Sequence, residues 1–302
     1  MNAPTGDAPR SGPEAPQLDA ASSAQAADRG QDAYMPIGVF DSGLGGLSVL
    51  RELVRRLPHE DFVYVADSGH CPYGAKPAAA IVARACAIGD FLLAQGAKLI
   101  VVACNTATVA AVEYLRANYS CSFVGMEPAV KPAVALTRTG TVGVLATVAT
   151  LAGSKLHRLL DRHAGSVRVL TQPCPGLPEC VEAGALDAPE TQALVQQYTA
   201  PLVAGGADVI VLGSTHYPFL RPLIQAAAGP AVRLLDTGEA VARRTEQLLE
   251  AEGLRREAAR ADVPPGTAGG RIAWFTSGIP AQMELVGGRL WGTPISARVL
   301  DA

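Results

Sequence analysis

Two apolar segments of the chain end in side chains that can move protons. Leu99–Ala103 runs into Cys104-Asn105-Thr106, and Val209–Gly213 runs into Ser214-Thr215-His216. In each, a nucleophilic side chain and two polar residues follow a small residue. A thiol at the start of a helix feels the positive end of the helix dipole, which lowers its pKa from about 8.5 towards neutrality. The pattern predicts that Cys104 is a general base, although a cysteine after a strand is by itself more often core.

Four other strand ends carry turns in which a hydroxyl residue precedes glycine. Such turns present backbone N–H groups and a hydroxyl, which suit a carboxylate or a phosphate. Any one of them is also an ordinary strand-to-helix turn with an N-cap. Four together favour an anion-binding edge. The turns are Asp41-Ser42-Gly43, Asp67-Ser68-Gly69, Asp236-Thr237-Gly238 and Thr276-Ser277-Gly278.

These side chains need a scaffold, and the hydrophobic pattern indicates which one. Short β-branched runs alternate with amphipathic stretches such as Leu47–Arg56, Ala78–Gln95 and Thr106–Asn118. This alternation predicts parallel sheets covered by helices on both faces, with ligands bound beyond the carboxyl ends of the strands. The predicted strands are Ile37–Phe40, Phe62–Ala66, Leu99–Ala103, Ser122–Gly125, Val142–Ala146, Val167–Leu170, Val209–Leu212, Val232–Leu235 and Ile272–Phe275.

So many strands suit two sheets better than one. We therefore predict an α/β fold of two similar domains with mainly parallel sheets flanked by helices, and an active site in the cleft between the domains. The first domain takes residues 36–128 plus 238–302, and the second takes residues 129–237. Residues 1–35 are Ala-, Pro- and Ser-rich with scattered acids and no apolar signal region, which predicts a disordered leader.

The composition excludes several classes of partner. Against 25 Lys+Arg stand 28 Asp+Glu, a net charge of −3, so there is no basic field for nucleic acid and no polybasic membrane patch. No apolar run approaches the ~20 residues that span a bilayer. The six cysteines contain no C-x-x-C pair, and no usual metal-ligand spacing occurs. We expect a cytoplasmic protein without a metal, a nucleic-acid partner or a membrane partner, and a homodimer remains open.

Five motifs occur in the order found in glutamate racemases, and from about Pro36 to the C-terminus the chain resembles that family. Together they are far more specific than any one alone. The motifs are Phe40-Asp41-Ser42-Gly43-Leu44-Gly45-Gly46, Asp67 with Pro72-Tyr73-Gly74, Ala103-Cys104-Asn105-Thr106-Ala107, Cys174-Pro175 with Glu182, and Thr215-His216-Tyr217-Pro218.

The resemblance implies an isomerase that works without a cofactor and interconverts L- and D-glutamate. Its D-glutamate would serve peptidoglycan biosynthesis, and so the biogenesis of the cell wall and cell shape. One thiolate removes the α-proton while a thiol on the opposite face delivers another, because a single base tends to return its proton to the face it came from.

The motifs also imply a role for each site residue. Cys104 is the first base and serves D-glutamate, Asp41 handles or orients protons beside it, and Glu182 and His216 belong to the other side. The residues that would hold the substrate's charged groups are Asp41, Ser42, Tyr73, Gly74, Asn105, Thr106, Thr215 and His216.

The chain departs from the family at Ser214, which stands where the family has its second catalytic cysteine. A serine hydroxyl keeps its proton near neutral pH unless a strong base is adjacent. Three interpretations stay open: an engineered change that traps substrate, a natural serine with slow activity or activity routed through His216, and one-sided chemistry such as decarboxylation. With one thiol, we expect α-proton exchange of D-glutamate but not of L-glutamate, and slow or no racemisation.

Other functions compete with a racemase. Gly43-x-Gly45-x-x-Ser48 after the first strand, with Asp67 ending the second, imitates a dinucleotide fingerprint, but the third glycine is missing and Asp41 would oppose the pyrophosphate. A one-base or inactive relative is the main alternative: an amino-acid-binding protein, an aspartate racemase or a decarboxylase-like enzyme. Cys71 is interpreted as a bystander.

Overall fold

The computed structural model describes residues 32–256 and 270–301, so residues 1–31 of the predicted leader lie outside the described residues. Within the described ranges the strands form two wholly parallel sheets, one of six strands and one of four. The prediction of an α/β fold with parallel sheets flanked by helices is confirmed. The domain division at residues 128/129 and 237/238 stays a prediction.

The six-stranded sheet brings two of the predicted site segments to one edge. Its strands are β1 Ile37–Asp41, β2 Phe62–Ala66, β3 Leu99–Val102, β4 Ser122–Gly125, β9 Ile272–Thr276 and β10 Ala297–Val299, in the order β10-β9-β2-β1-β3-β4. Phe40 of β1 pairs with Val102 of β3. Because the two strands run parallel, Asp41 and Cys104 both emerge at the carboxyl edge of this sheet.

The four-stranded sheet brings the segment with Ser214 to its own carboxyl edge. Its strands are β5 Thr141–Ala146, β6 Arg168–Pro173, β7 Val209–Gly213 and β8 Arg233–Leu235, in the order β6-β5-β7-β8. Ala146 of β5 pairs with Gly213 of β7. Thr147 and Ser214 therefore leave this sheet side by side.

Helices connect the strands. In the described ranges they are α1 Leu47–Arg56, α2 Ala78–Ala94, α3 Asn105–Asn118, α4 Val130–Leu136, α5 Val148–Ala152, α6 Ser154–His163, α7 Leu177–Glu182, α8 Pro189–Ala204, α9 Arg221–Ala228, α10 Gly238–Ala251, α11 Pro280–Gln282 and α12 Gly288–Trp291. Three short 3₁₀ turns, Ser68–His70, Tyr73–Ala75 and Tyr217–Leu220, and one π-helical stretch, Met283–Gly287, complete them. After the second sheet, α10 packs against α1 and so returns the chain to the first sheet.

Strand side chains alternate between two apolar cores, as the two-residue period of a strand requires. Val39 and Val101 belong to one core, whereas Phe40 and Val102 belong to the other, which α2 and α3 cover. The first core also contains Leu145 and other residues of the second sheet. A continuous apolar core thus joins the two sheets beneath the edge where the polar residues gather.

Eight of the nine predicted strands match the observed bounds to within one residue at each end. The ninth was predicted as Val167–Leu170 and continues to Pro173, where polar residues interrupt the apolar run. The prediction missed β10, a three-residue edge strand whose Arg298 and Val299 are exposed. A short exposed strand carries no alternating apolar pattern to predict it. None of the helices within 32–256 and 270–301 has the length and apolar character needed to cross a membrane.

Candidate active site

A cavity opens where the carboxyl edges of the two sheets face each other. Its space, open mouth included, is about 680 Å³. Nine of the predicted site residues line it: Ser42, Tyr73, Gly74, Cys104, Asn105, Thr106, Ser214, Thr215 and His216. Asp41 and Glu182 lie behind this lining, each in contact with a residue that does border the cavity.

Of the four hydroxyl-glycine turns, the first borders this cavity, through Ser42. The other three turns have structural partners instead. Gly69 donates its N–H to Ser277 Oγ at 3.1 Å, which ties two of the turns together. Asp236 pairs with Arg221 beside Gly238. These three turns therefore lie outside the lining of this cavity, and an anion-binding role for all four turns stays a prediction.

Cys104 is the N-cap of α3, as its position after a strand predicted. Its sulfur accepts the Ala107 N–H at 3.4 Å and donates to Ser42 Oγ at 3.7 Å. The expectation that the helix terminus lowers the pKa of this thiol towards neutrality is wrong. Burial raises the pKa of the thiol well above its usual range, and the nearby Asp41 adds to the rise. Desolvation of a fully buried thiolate outweighs one capping N–H.

Asp41 is completely buried at the end of β1. Its carboxylate accepts the Gly46 N–H at 2.7 Å, the Ser42 hydroxyl at 3.3 Å and the Thr215 hydroxyl at 3.4 Å. Burial raises the pKa of Asp41, and the positive charge of His216 opposes that rise. Because Thr215 follows β7, this carboxylate links the two sheets. Cys104, Ser42 and Asp41 form one hydrogen-bonded chain.

A second series of contacting side chains starts at Ser214. The Ser214 oxygen lies 3.5 Å from His216 Nδ1, and His216 Nε2 lies 2.7 Å from Glu182 Oε1. That Glu182 oxygen also accepts the Leu44 N–H at 2.6 Å. Burial by itself lowers the pKa of His216, but the hydrogen bond and charge of Glu182, with Asp41, reverse this and raise it. Glu182 and Asp41 thus favour the protonated form of the imidazole over the neutral form.

Two glycines let the loop after β1 lie directly against Glu182 and His216. A Cβ atom at Gly43 would lie 2.2 Å from Glu182 Oε1, and one at Gly45 would lie 2.4 Å from His216 Nδ1. Both distances are far below van der Waals contact, so a side chain at either position displaces the carboxylate or the imidazole. The glycines of the predicted motif are thus required by close approach rather than by a phosphate.

Asn105 has an unusual environment. Its side chain is 5% exposed and borders the cavity, yet neither the amide nitrogen nor the amide oxygen has a hydrogen-bond partner among the described residues. Unpaired buried polar groups are rare because each costs free energy, and this one borders the cavity, so Asn105 stays a predicted substrate-binding residue. Its NH₂ group can donate to a carboxylate and its carbonyl oxygen can accept from an ammonium.

Tyr73 borders the cavity, but its hydroxyl is already engaged. It donates to Asp67, whose carboxylate also accepts Arg84 Nη2 at 2.8 Å. Burial opposes ionisation of Asp67, and the Arg84 contacts overcome it and lower the pKa of that carboxyl. Substrate binding by Tyr73 stays a prediction, and the hydroxyl is already hydrogen-bonded to Asp67.

Thr147 was missed by the sequence analysis. It borders the cavity, caps α5, and its hydroxyl lies 3.2 Å from that of Thr106. The signal was available, because Thr147 directly follows a predicted strand in the same way as Cys104 and Ser214. Cys174, Pro175 and Glu179 also border the cavity.

Among the described residues, the ligand atoms of Cys71, Glu182 and His216 all lie within 4.8 Å of one another, a spacing that could accommodate a metal ion. A metal there would compete with the hydrogen bond that already joins the imidazole to the carboxylate. Because these two groups satisfy each other, we assign no metal to this cluster.

The comparisons with known proteins agree with this geometry. The family model for Asp/Glu/Hydantoin racemase matches residues 37–245. The chain belongs to this family. The resemblance inferred from the motifs is confirmed, and with it an isomerase family that acts without pyridoxal phosphate.

Relatives and solved structures cover most of the chain. It is 57% identical over 251 residues to a glutamate racemase of Herpetosiphon aurantiacus, covering 83% of this chain and 96% of the relative. The glutamate racemase of Escherichia coli in complex with L-glutamate and the activator UDP-MurNAc-Ala is 32% identical, with a TM-score of 0.75 over 87% of this chain and 97% of that chain. The glutamate racemase of Francisella tularensis in complex with D-glutamate is 26% identical, with a TM-score of 0.75 over 89% and 98%.

Proposed function

We propose that this chain is a glutamate racemase that interconverts L- and D-glutamate without a cofactor and supplies D-glutamate for peptidoglycan. The observation that carries the proposal is a cavity bordered by Cys104 from one sheet and by Ser214 and His216 from the other. Groups that can move protons thus approach the cavity from both sheets, as inversion of a carbon centre requires. The named relatives support the same substrate.

The polar lining suits a small acidic amino acid. The unpaired amide of Asn105 can donate to a carboxylate and accept from an ammonium. Ser42, Thr106, Thr147 and Thr215 add hydroxyls around the same cavity. The proposal includes no pyridoxal group, because the chain belongs to a racemase family that acts without pyridoxal phosphate.

Cys104 removes the α-proton of D-glutamate in this proposal. Burial raises the pKa of this thiol, so formation of the thiolate needs a positive charge nearby. The substrate's ammonium brings a positive charge into the same buried space, which favours the thiolate. The chain from Cys104 through Ser42 to Asp41 orients the sulfur and gives its proton a path.

Exchange of the α-proton in heavy water tests the proposal. With D- or L-glutamate as substrate, we expect loss of the α-proton signal by NMR and formation of the opposite enantiomer. Release of carbon dioxide, or tight binding with neither exchange nor racemisation, would support the one-base or binding-protein alternatives instead.

We further propose that the protein acts in the cytoplasm. All six cysteines are free, as a reducing compartment requires, and the chemistry depends on a reduced Cys104. Homodimer formation stays a prediction, and light scattering of the purified protein would test it.

A further inference from the structure

The position of Ser214 raises a chemical problem that its neighbours resolve. A serine hydroxyl alone is a poor acid and a poor base near neutral pH. Here its oxygen lies 3.5 Å from His216 Nδ1 and accepts the backbone N–H of the same residue at 3.4 Å. On the far side of the imidazole, Nε2 lies 2.7 Å from Glu182. Two of the three are held in place, since the Leu44 N–H donates to Glu182 and Gly45 lies against the His216 imidazole.

We propose that Ser214, His216 and Glu182 form a proton relay that replaces a thiol on the second face of the substrate. The inference rests on the glutamate racemisation proposed above and names how this chain completes it. Ser214 is the group that touches the α-carbon, and His216 and Glu182 act through it.

The relay conserves protons in each direction. When Cys104 has taken the α-proton of D-glutamate, the Ser214 hydroxyl gives its proton to the α-carbon from the other face. The Nδ1–H of the His216 imidazolium replaces that proton on the serine oxygen, which leaves a neutral imidazole still bonded to Glu182 through Nε2–H. From L-glutamate the α-proton passes to the serine oxygen while the serine proton passes to Nδ1. No free alkoxide forms at any stage.

The orientation of the imidazole supports a relay through the hydroxyl. Nε2 is occupied by Glu182, which leaves Nδ1 as the nitrogen free to exchange a proton, and Nδ1 faces Ser214. The separation of 3.5 Å is at the limit of a hydrogen bond, and such contacts commonly tighten when substrate binds. Glu182 also places its negative charge against Nε2, which stabilises the imidazolium that gives up its Nδ1 proton when D-glutamate reacts and that forms again when L-glutamate reacts.

The test measures exchange on each face separately, with L- and with D-glutamate in heavy water, in the full chain. We expect Ser214→Ala and His216→Gln each to lower the α-proton exchange of L-glutamate by about 10²-fold, the usual contribution of a positioned acid or base. The double variant falls no further than either single variant, because the two residues act as one unit. Exchange of D-glutamate through Cys104 stays within a few-fold and reports that each variant is folded.

Two further variants separate a relay from structural damage. Cys71→Ser alters a side chain next to the same Glu182–His216 pair but outside the relay, and leaves both exchanges unchanged. In a Ser214→Cys background, His216→Gln lowers L-glutamate exchange by only about 10-fold, because a thiol needs less help than a hydroxyl. Should His216→Gln not fold, Glu182→Gln gives the same face-specific loss in a milder form.

Each other outcome contradicts a particular step. Unchanged L-glutamate exchange in Ser214→Ala would show that His216 or a water acts without the hydroxyl. Exchange of D-glutamate but not of L-glutamate by the unaltered chain would show that the second face has no working acid or base, so the relay fails while Cys104 remains a base. Absence of both exchanges would overturn the racemase itself.

Discussion

Each sheet contributes one wall of the cavity, and each wall contains a series of three side chains in contact. The two series differ most in their middle residue. On the first sheet, Cys104 leads through the hydroxyl of Ser42 to the buried Asp41. On the second, Ser214 leads through the imidazole of His216 to Glu182. Each ends on a carboxylate, but only the second has a middle group that can carry a charge.

This difference follows from the acidity of the leading atom. A thiol can become a thiolate once a cation is near, so a neutral hydroxyl is enough to orient it. A serine hydroxyl cannot ionise unaided and needs a neighbour that gives or takes the proton in the same step. The comparison teaches that the support around a reactive atom compensates for what that atom lacks.

The largest effect is expected from removal of the thiol on the first wall. Cys104→Ala should lower racemisation and the exchange of D-glutamate by roughly 10⁴-fold, because it removes the sulfur that takes the α-proton on that face. NMR exchange assays in heavy water measure both. Cys71→Ala is the matched control and should retain nearly full activity. Substantial D-glutamate exchange in Cys104→Ala would mean that the base is assigned to the wrong residue.

A second change makes the two walls chemically alike. Ser214→Cys should raise the rate of racemisation by about 10²-fold, since a thiol is a better acid and base than a hydroxyl. Circular dichroism of the glutamate product or a coupled assay of D-glutamate measures the rate. An unchanged rate would indicate that the second face does not limit turnover.

A third change disturbs the second wall without substituting any of its reactive groups. Gly45→Ala places a Cβ atom only 2.4 Å from His216 Nδ1, so the imidazole must shift. We expect L-glutamate exchange to fall by about 10-fold or more, with D-glutamate exchange much less affected. Equal losses on both faces would point to a general distortion of the loop and weaken the comparison.

The smallest expected effect concerns binding rather than proton transfer. Asn105→Ala removes the unpaired amide from the cavity wall, so the substrate loses a hydrogen-bonded partner that both faces share. We expect KM for both enantiomers to rise by about 10-fold, equivalent to one hydrogen bond to a charged group. Steady-state kinetics in both directions check this, and a change for one enantiomer alone would place Asn105 on a single face.

Sequence pattern alone determined much of this protein. Runs such as Leu99–Val102 are apolar on both faces, and a strand of that kind is stable only inside a helix-covered parallel sheet. Because parallel strands end at one edge, the polar residues after them had to gather there, as Cys104 and Ser214 do. The family resemblance added the order of the motifs and the expectation of glutamate as substrate.

Tertiary structure decided what local pattern does not contain. Glu182 and His216 are 34 residues apart, and their contact depends on Gly43 and Gly45 from a different sheet. The pKa of Cys104 was predicted with the wrong sign, because a helix terminus is local whereas burial depends on the whole fold. The hydrogen bond from Tyr73 to Asp67 was likewise not predictable from residue spacing. Desolvation and long-range hydrogen bonds have no signature in residue spacing, which is why only the folded chain could settle them.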